Sequence, residues 1–92
     1  MPVKVHATRM LVGHLGIPPD FSVEAKTVGV LLDKVDREHP GFRDSICDET
    51  GRIRTYVNIF LNEENVSQRR APLSLPLHDG DEIHILANVA GG

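Results

Sequence analysis

A single helical stripe sets the limits on what this chain can fold into. Val28, Leu31, Leu32 and Val35 recur at i, i+3, i+4 and i+7, the spacing that gathers apolar side chains on one helix face. Asp33, Lys34, Asp36 and Arg37 take the opposite side. Thr27 stands where an N-cap hydroxyl accepts from an otherwise unpaired backbone N–H. His39-Pro40-Gly41 closes the stripe, because proline disfavours helical geometry at the residue before it and glycine is a usual terminator. This is the one helix that the periodicity predicts.

The segments around it read as strands. Val3-Lys4-Val5-His6-Ala7-Thr8 alternates apolar and polar, and so does Phe21-Ser22-Val23-Glu24-Ala25, the period of half-buried strands. Gly13, Gly16 and Pro18-Pro19 mark a long loop between them, as in a hairpin with an extended connection. After the helix, Phe42 and Ile46 are expected to fold back beneath it. Asp48-Glu49-Thr50-Gly51 reads as a turn, Tyr56-Val57-Asn58-Ile59-Phe60-Leu61 as a strand, and Asn62-Glu63-Glu64-Asn65 as a polar turn before a short strand at Val66. Pro72 and Pro76 keep residues 68–77 irregular. Asp79-Gly80-Asp81 then turns the chain into a last strand, Asp81 to Leu86.

One helix and a few strands share a core only if the helix lies across one face of one sheet. The expected fold is therefore α+β, a β-grasp roll of ββαββ order with one main helix packed across a mixed sheet. The last strand should run parallel to the first in the sheet centre. Residues 1–86 form the expected domain, and 87–92 a flexible C-terminal tail.

Composition narrows the function. With 92 residues, 40% hydrophobic and 25% charged, the chain is one ordinary globular domain. A net charge of -3 gives no basic face for nucleic acid. The N-terminal residues lack a signal-peptide core, and no run is long enough to span a membrane. The expectation is a cytoplasmic protein with neither nucleic-acid nor membrane partners.

The feature with chemical content is Val89-Ala90-Gly91-Gly92. Two glycines after a strand place a free α-carboxylate on a thin arm without side chains, able to enter a slot closed to bulkier residues. The carboxylate of Gly92 is read as the reactive group. Other candidates are weaker. Cys47 has no basic neighbour in sequence to lower its pKa. His6 and His84 fall side by side on adjacent strands, but two histidines without a third ligand make a poor metal site, so none is assigned. Asp79, Asp81 and Glu82 look like paired carboxylates for acid–base work, but turn formation at Asp-Gly explains Asp79 and Gly80 more simply. Arg69-Arg70 is too short for a nucleic-acid patch. If Val3, Val5, Val57, Ile59, Ile83 and Ile85 point inward, alternation sends His6, Thr8, Phe60, His84 and Leu86 outward. Phe60 and Leu86 then form an exposed apolar pair suited to a partner.

Three runs carry a family resemblance. Val57 to Val66 resembles the strand-and-turn with an N-x-x-x-V ending found in the ThiS/MoaD family of ubiquitin-like sulfur carriers. Leu77-His78-Asp79-Gly80-Asp81-Glu82-Ile83 resembles its L-x-D-G-D-x-V run, and Val89-Ala90-Gly91-Gly92 its V-x-G-G terminus. The longer stretch between helix and third strand is most similar to the CysO branch. One departure is Ala87, where the family usually has proline.

The resemblance implies a protein co-substrate rather than an enzyme. An E1-like adenylating and sulfurtransferase partner would use ATP to adenylate Gly92, and a sulfur donor would then leave a thiocarboxylate. A sulfur-accepting synthase, cysteine-synthase-like in the CysO branch, would receive the sulfur. The chain itself has no phosphate-binding loop and is expected to bind no cofactor. Residues 87–92 reach about 20 Å when extended; Val89, Ala90 and Gly91 would line the slot, while Phe60 and Leu86 dock outside, at positions similar to the ubiquitin-like recognition patch. Relatives also imply alternatives: a modifier conjugated to lysines through Gly92, or a sulfur donor for a cofactor, a tRNA or a natural product.

Overall fold

The computed structural model describes residues 2–8 and 16–87. Five strands form one sheet: β1 (Val3–Ala7), β2 (Asp20–Val23), β3 (Val57–Leu61), β4 (Glu64–Asn65) and β5 (Glu82–Ala87), in the spatial order β2-β1-β5-β3-β4. β5 runs parallel to β1, with Val5 opposite Ile83 and His6 opposite His84. The β1–β2, β3–β5 and β3–β4 pairs are antiparallel. Helices α1 (Val28–Glu38) and α2 (Phe42–Ile46) belong to the covered face, and a 3₁₀ turn spans Pro72–Ser74. This is the β-grasp roll.

The helix forms where its pattern requires. Thr27 is the N-cap, its hydroxyl accepting from Val30 N at 3.2 Å, and Val28, Leu31, Leu32 and Val35 are all buried. They meet the inward residues Val3, Val5, Val57, Ile59, Ile83 and Ile85 in one core. Each such side chain, taken from water, contributes about 1.5–3 kcal/mol. α1 ends at Glu38, and Gly41 then takes φ +104°, a left-handed conformation that favours glycine. The turn aims Phe42 and Ile46 into the core, both with no exposed surface.

α2 is a helix that the periodicity did not single out. Its five residues are too few to show a stripe, and what supports it comes from elsewhere in the chain. Asp36 of α1, on the side opposite the apolar stripe, accepts from both Gly41 N (3.1 Å) and Arg43 N (3.0 Å). Asp33, on the same exposed side, pairs with Arg43.

Boundaries move by a residue or two for identifiable reasons. β2 stops at Val23 because the next backbone carbonyls are engaged elsewhere: Glu24 O accepts from Lys34 Nζ and Lys26 O from Leu77 N. β5 begins at Glu82 because Asp81 is held in the preceding turn, its carboxylate accepting from His78 N at 2.8 Å. Gly80, at φ +86°, makes that turn.

The short fourth strand is completed by a side chain. Val66 N donates to Ile59 O (2.8 Å), and Ile59 N donates to Ser67 Oγ (2.6 Å) in a buried setting. Removing the hydroxyl leaves the Ile59 N–H without a partner, so Ser67→Ala should cost about 1–3 kcal/mol. The check is a lower urea midpoint at unchanged m-value; a shift within error would show that Ile59 N–H finds another acceptor.

Candidate functional site

The face of the sheet opposite the helices carries the residues that alternation sends outward. β1 presents Lys4 and His6, β5 presents Glu82, His84 and Leu86, and β3 presents Asn58 and Phe60. Leu86 is 42% exposed. Phe60 lies opposite His84 and is half-buried, so the expected apolar pair is one exposed leucine beside a partly covered phenylalanine. Tyr56, just before β3, exposes 43% of its surface.

β5 is the central strand, and its last residue, Ala87, is also the last one described. Ala87 still belongs to the sheet: it lies opposite Val57, and its N–H donates to Thr8 Oγ1 at 3.2 Å. The domain expected to end at residue 86 therefore includes Ala87. Val89, Ala90, Gly91 and Gly92, the residues read as slot-lining and reactive, lie outside the described residues. The bond from Ala87 gives the departure from proline a physical role, since proline has no N–H to offer. Ala87→Pro should cost about 1 kcal/mol in thermal or urea unfolding, and much less in a Thr8→Val background. Equal costs in both backgrounds would show that the bond contributes nothing.

A polar cluster occupies the middle of the same face. His6 Nδ1 donates to Asp20 Oδ1 at 2.7 Å, and His6 Nε2 lies 3.1 Å from Glu82 Oε1. The rings of His6 and His84 stack with centroids 4.5 Å apart. The Asp20 hydrogen bond raises the His6 pKa above its ordinary value; partial burial opposes this and Glu82 reinforces it. Ligand atoms of His6, Glu82 and His84 all lie within 4.8 Å of one another. Sequence reasoning paired the two histidines and missed Glu82. The signal was available, because Glu82 and His84 are two apart on one strand and share its face.

The remaining candidates resolve into structure. Cys47 is buried and free, and burial pushes its thiol pKa up, the opposite of an activated nucleophile. Asp81 ties two of the motif runs together, accepting from Asn62 Nδ2 at 3.3 Å, while Asn62 Oδ1 accepts from Glu82 N at 3.0 Å. Asn62 takes the left-handed conformation, φ +58°. The N-x-x-x-V and D-G-D runs thus form one lock at the entry of β5. Arg69 pairs with Glu64. Among the described residues no helix is long and apolar enough to cross a membrane.

A sequence profile of the ThiS family matches residues 20–92. The chain belongs to the ThiS family. It is 30% identical to the sulfur carrier protein CysO of Mycobacterium tuberculosis over 94 aligned positions, covering the whole of both chains. It is similar in structure to a chain of the Amycolatopsis orientalis BexX/CysO complex (TM-score 0.82, 29% identity, 98% of this chain and 99% of that one). It also resembles small archaeal modifier protein 1 from Methanosarcina acetivorans (TM-score 0.78, 26% identity, 99% and 96% covered). These likenesses make it a ThiS-family protein of the CysO sulfur-carrier type, with the β-grasp fold of those structures.

Proposed function

We propose that this protein carries sulfur on Gly92. An E1-like partner adenylates the terminal carboxylate with ATP, a sulfur donor displaces AMP to leave a thiocarboxylate, and a biosynthetic synthase takes the sulfur, in a reaction that makes cysteine. The protein acts as a co-substrate, and its partners supply the catalytic groups. The observation that carries this reading is the full-length similarity to CysO, in a family match that runs through Gly92.

Physical chemistry supports each part. An α-carboxylate with a pKa of about 3.3–3.7 is ionised at neutral pH and can attack the α-phosphate of ATP. The five residues after Ala87 span about 17 Å when extended, enough to reach a recessed site while the sheet face rests outside it. Phe60 and Leu86 serve as the docking contacts, and Val89, Ala90 and Gly91 as the segment threaded into the slot. The CysO of A. orientalis was solved in complex with BexX, which supports a carrier that works by docking on a second protein.

The test is intact mass after incubation with ATP, a sulfide source and an E1-like enzyme of the same organism. Replacement of one oxygen by one sulfur, localised to Gly92 and abolished by deleting Gly91-Gly92, is the expected result. The likeness to an archaeal modifier favours a second reading, conjugation of Gly92 to lysines. ATP-dependent adducts on other proteins, without the sulfur shift, would select it. A mass shift with no cysteine formed by a cysteine-synthase-like acceptor would redirect the sulfur to a cofactor, a tRNA or a natural product.

A further inference from the structure

We propose that His6, Glu82 and His84 form a binding site for a divalent transition-metal ion, with zinc the best-suited chemistry, on the open face of the sheet. This inference does not depend on the Gly92 reading, because its residues all lie in β1 and β5.

The donor set is two imidazoles and one carboxylate, which zinc accepts at about 2.0–2.2 Å in tetrahedral sites with an open fourth position. Magnesium and calcium prefer oxygen ligands. The backbone brings the three together: His6 and His84 are directly opposite in the parallel β1–β5 pair, and Glu82 is two residues before His84 on the same face. Their ligand atoms lie within 4.8 Å of one another. Tetrahedral coordination at those bond lengths needs ligand atoms about 3.3 Å apart, so no gap has to close by more than about 1.5 Å. All three residues are partly exposed, and a side-chain rotation supplies that movement without disturbing the core.

A second observation is the position of Asp20. Its carboxylate accepts from His6 Nδ1 at 2.7 Å, which fixes the ring and leaves Nε2 turned towards Glu82, 3.1 Å away. A carboxylate on the far nitrogen of a ligating histidine is the usual outer support of a metal site, orienting the ring and making it a better donor. Metal binding uses the Nε2 lone pair, so any proton shared between Nε2 and Glu82 leaves to solvent, while the Nδ1–H stays with Asp20. No residue is oxidised or reduced. The fourth coordination position then faces outward, beside Leu86 and Phe60.

The experiment is calorimetric titration of the full chain with Zn²⁺ alone, with imidazole NMR signals followed in parallel. One ion per chain is expected, with the His6 and His84 ring resonances shifting together. His6→Ala, His84→Ala and Glu82→Gln should each weaken binding at least tenfold, Asp20→Asn about tenfold, and His78→Gln not at all. Mg²⁺ should give no heat. Binding unchanged in His84→Ala, weakened equally by His78→Gln, or absent below millimolar Zn²⁺ would overturn the proposal. If a variant is unfolded by circular dichroism, the ring shifts of the unsubstituted protein decide alone: resonances of other histidines moving first would count against the site.

Discussion

Phe42→Ala should lower the stability of the domain by about 3–5 kcal/mol, the cost of emptying a filled aromatic site. The residue has no exposed surface and opens α2, the short helix that returns the chain beneath α1. A 92-residue domain has about 5–14 kcal/mol in total, so this one truncation removes a large share. The melting temperature should fall on the order of 15–30 °C. Phe42→Leu keeps most of the volume and should cost about half as much or less. The size of the effect follows from what Phe42 connects. It sits between the Asp36-capped turn and the core strands, so its loss loosens α2 and the inner face of the sheet together. The outward face contains none of these contacts. On the proposed function the variant should therefore be sulfur-loaded at the normal rate below its melting temperature, and the readout pair is a urea titration with the intact-mass assay. A loss under about 1 kcal/mol would mean that the surroundings collapse into the space and that α2 is not integral to the fold.

What was legible in the sequence follows from what is local. The Val28–Val35 stripe, the Thr27 cap and the alternation of β1, β3 and β5 each depend on residues within a few positions, and each appears in the structure. The parallel β1–β5 pairing was legible too, because one helix and these strands admit few arrangements. The features not legible were side-chain contacts that no periodicity marks. Asp36 caps a helix that begins on the far side of a glycine turn, Ser67 substitutes for a backbone group of β4, and Thr8 receives the N–H of Ala87, 79 positions away. For the site, alternation correctly sorted His6, His84 and Leu86 to the outward face and could have added Glu82, but not the contact that brings Asp20 to His6. Phe60 was placed on the right face and is more covered than its neighbour Leu86.

On the proposed function, Leu86→Asp should reduce loading by the activating partner by about 30-fold or more, while the fold stays within about 1 kcal/mol of the original. Leu86 is on the central strand, 42% exposed, one residue before the last described position of the sheet. Under that reading a partner receiving Gly92 approaches this end of β5, where Leu86 is the exposed apolar side chain. Losing a central anchor of an interface costs 2 kcal/mol or more, which is about 30-fold in affinity, and an added carboxylate must also be desolvated. The loss should therefore fall on KM, with kcat nearly kept, because Gly91 and Gly92 remain to reach the adenylation site. Deleting Gly91-Gly92 should do the reverse, leaving docking intact and abolishing product. Val30→Asp is the matched control: Val30 is 40% exposed on α1, on the opposite side of the domain, and its substitution should leave loading unchanged. If Val30→Asp impaired loading and Leu86→Asp did not, the partner would dock on the helical side and the outward sheet face would lose its assigned role. If Leu86→Asp lowered kcat alone, Leu86 would act in guiding the tail rather than in holding the partner, because binding lost equally from ground and transition states raises KM only.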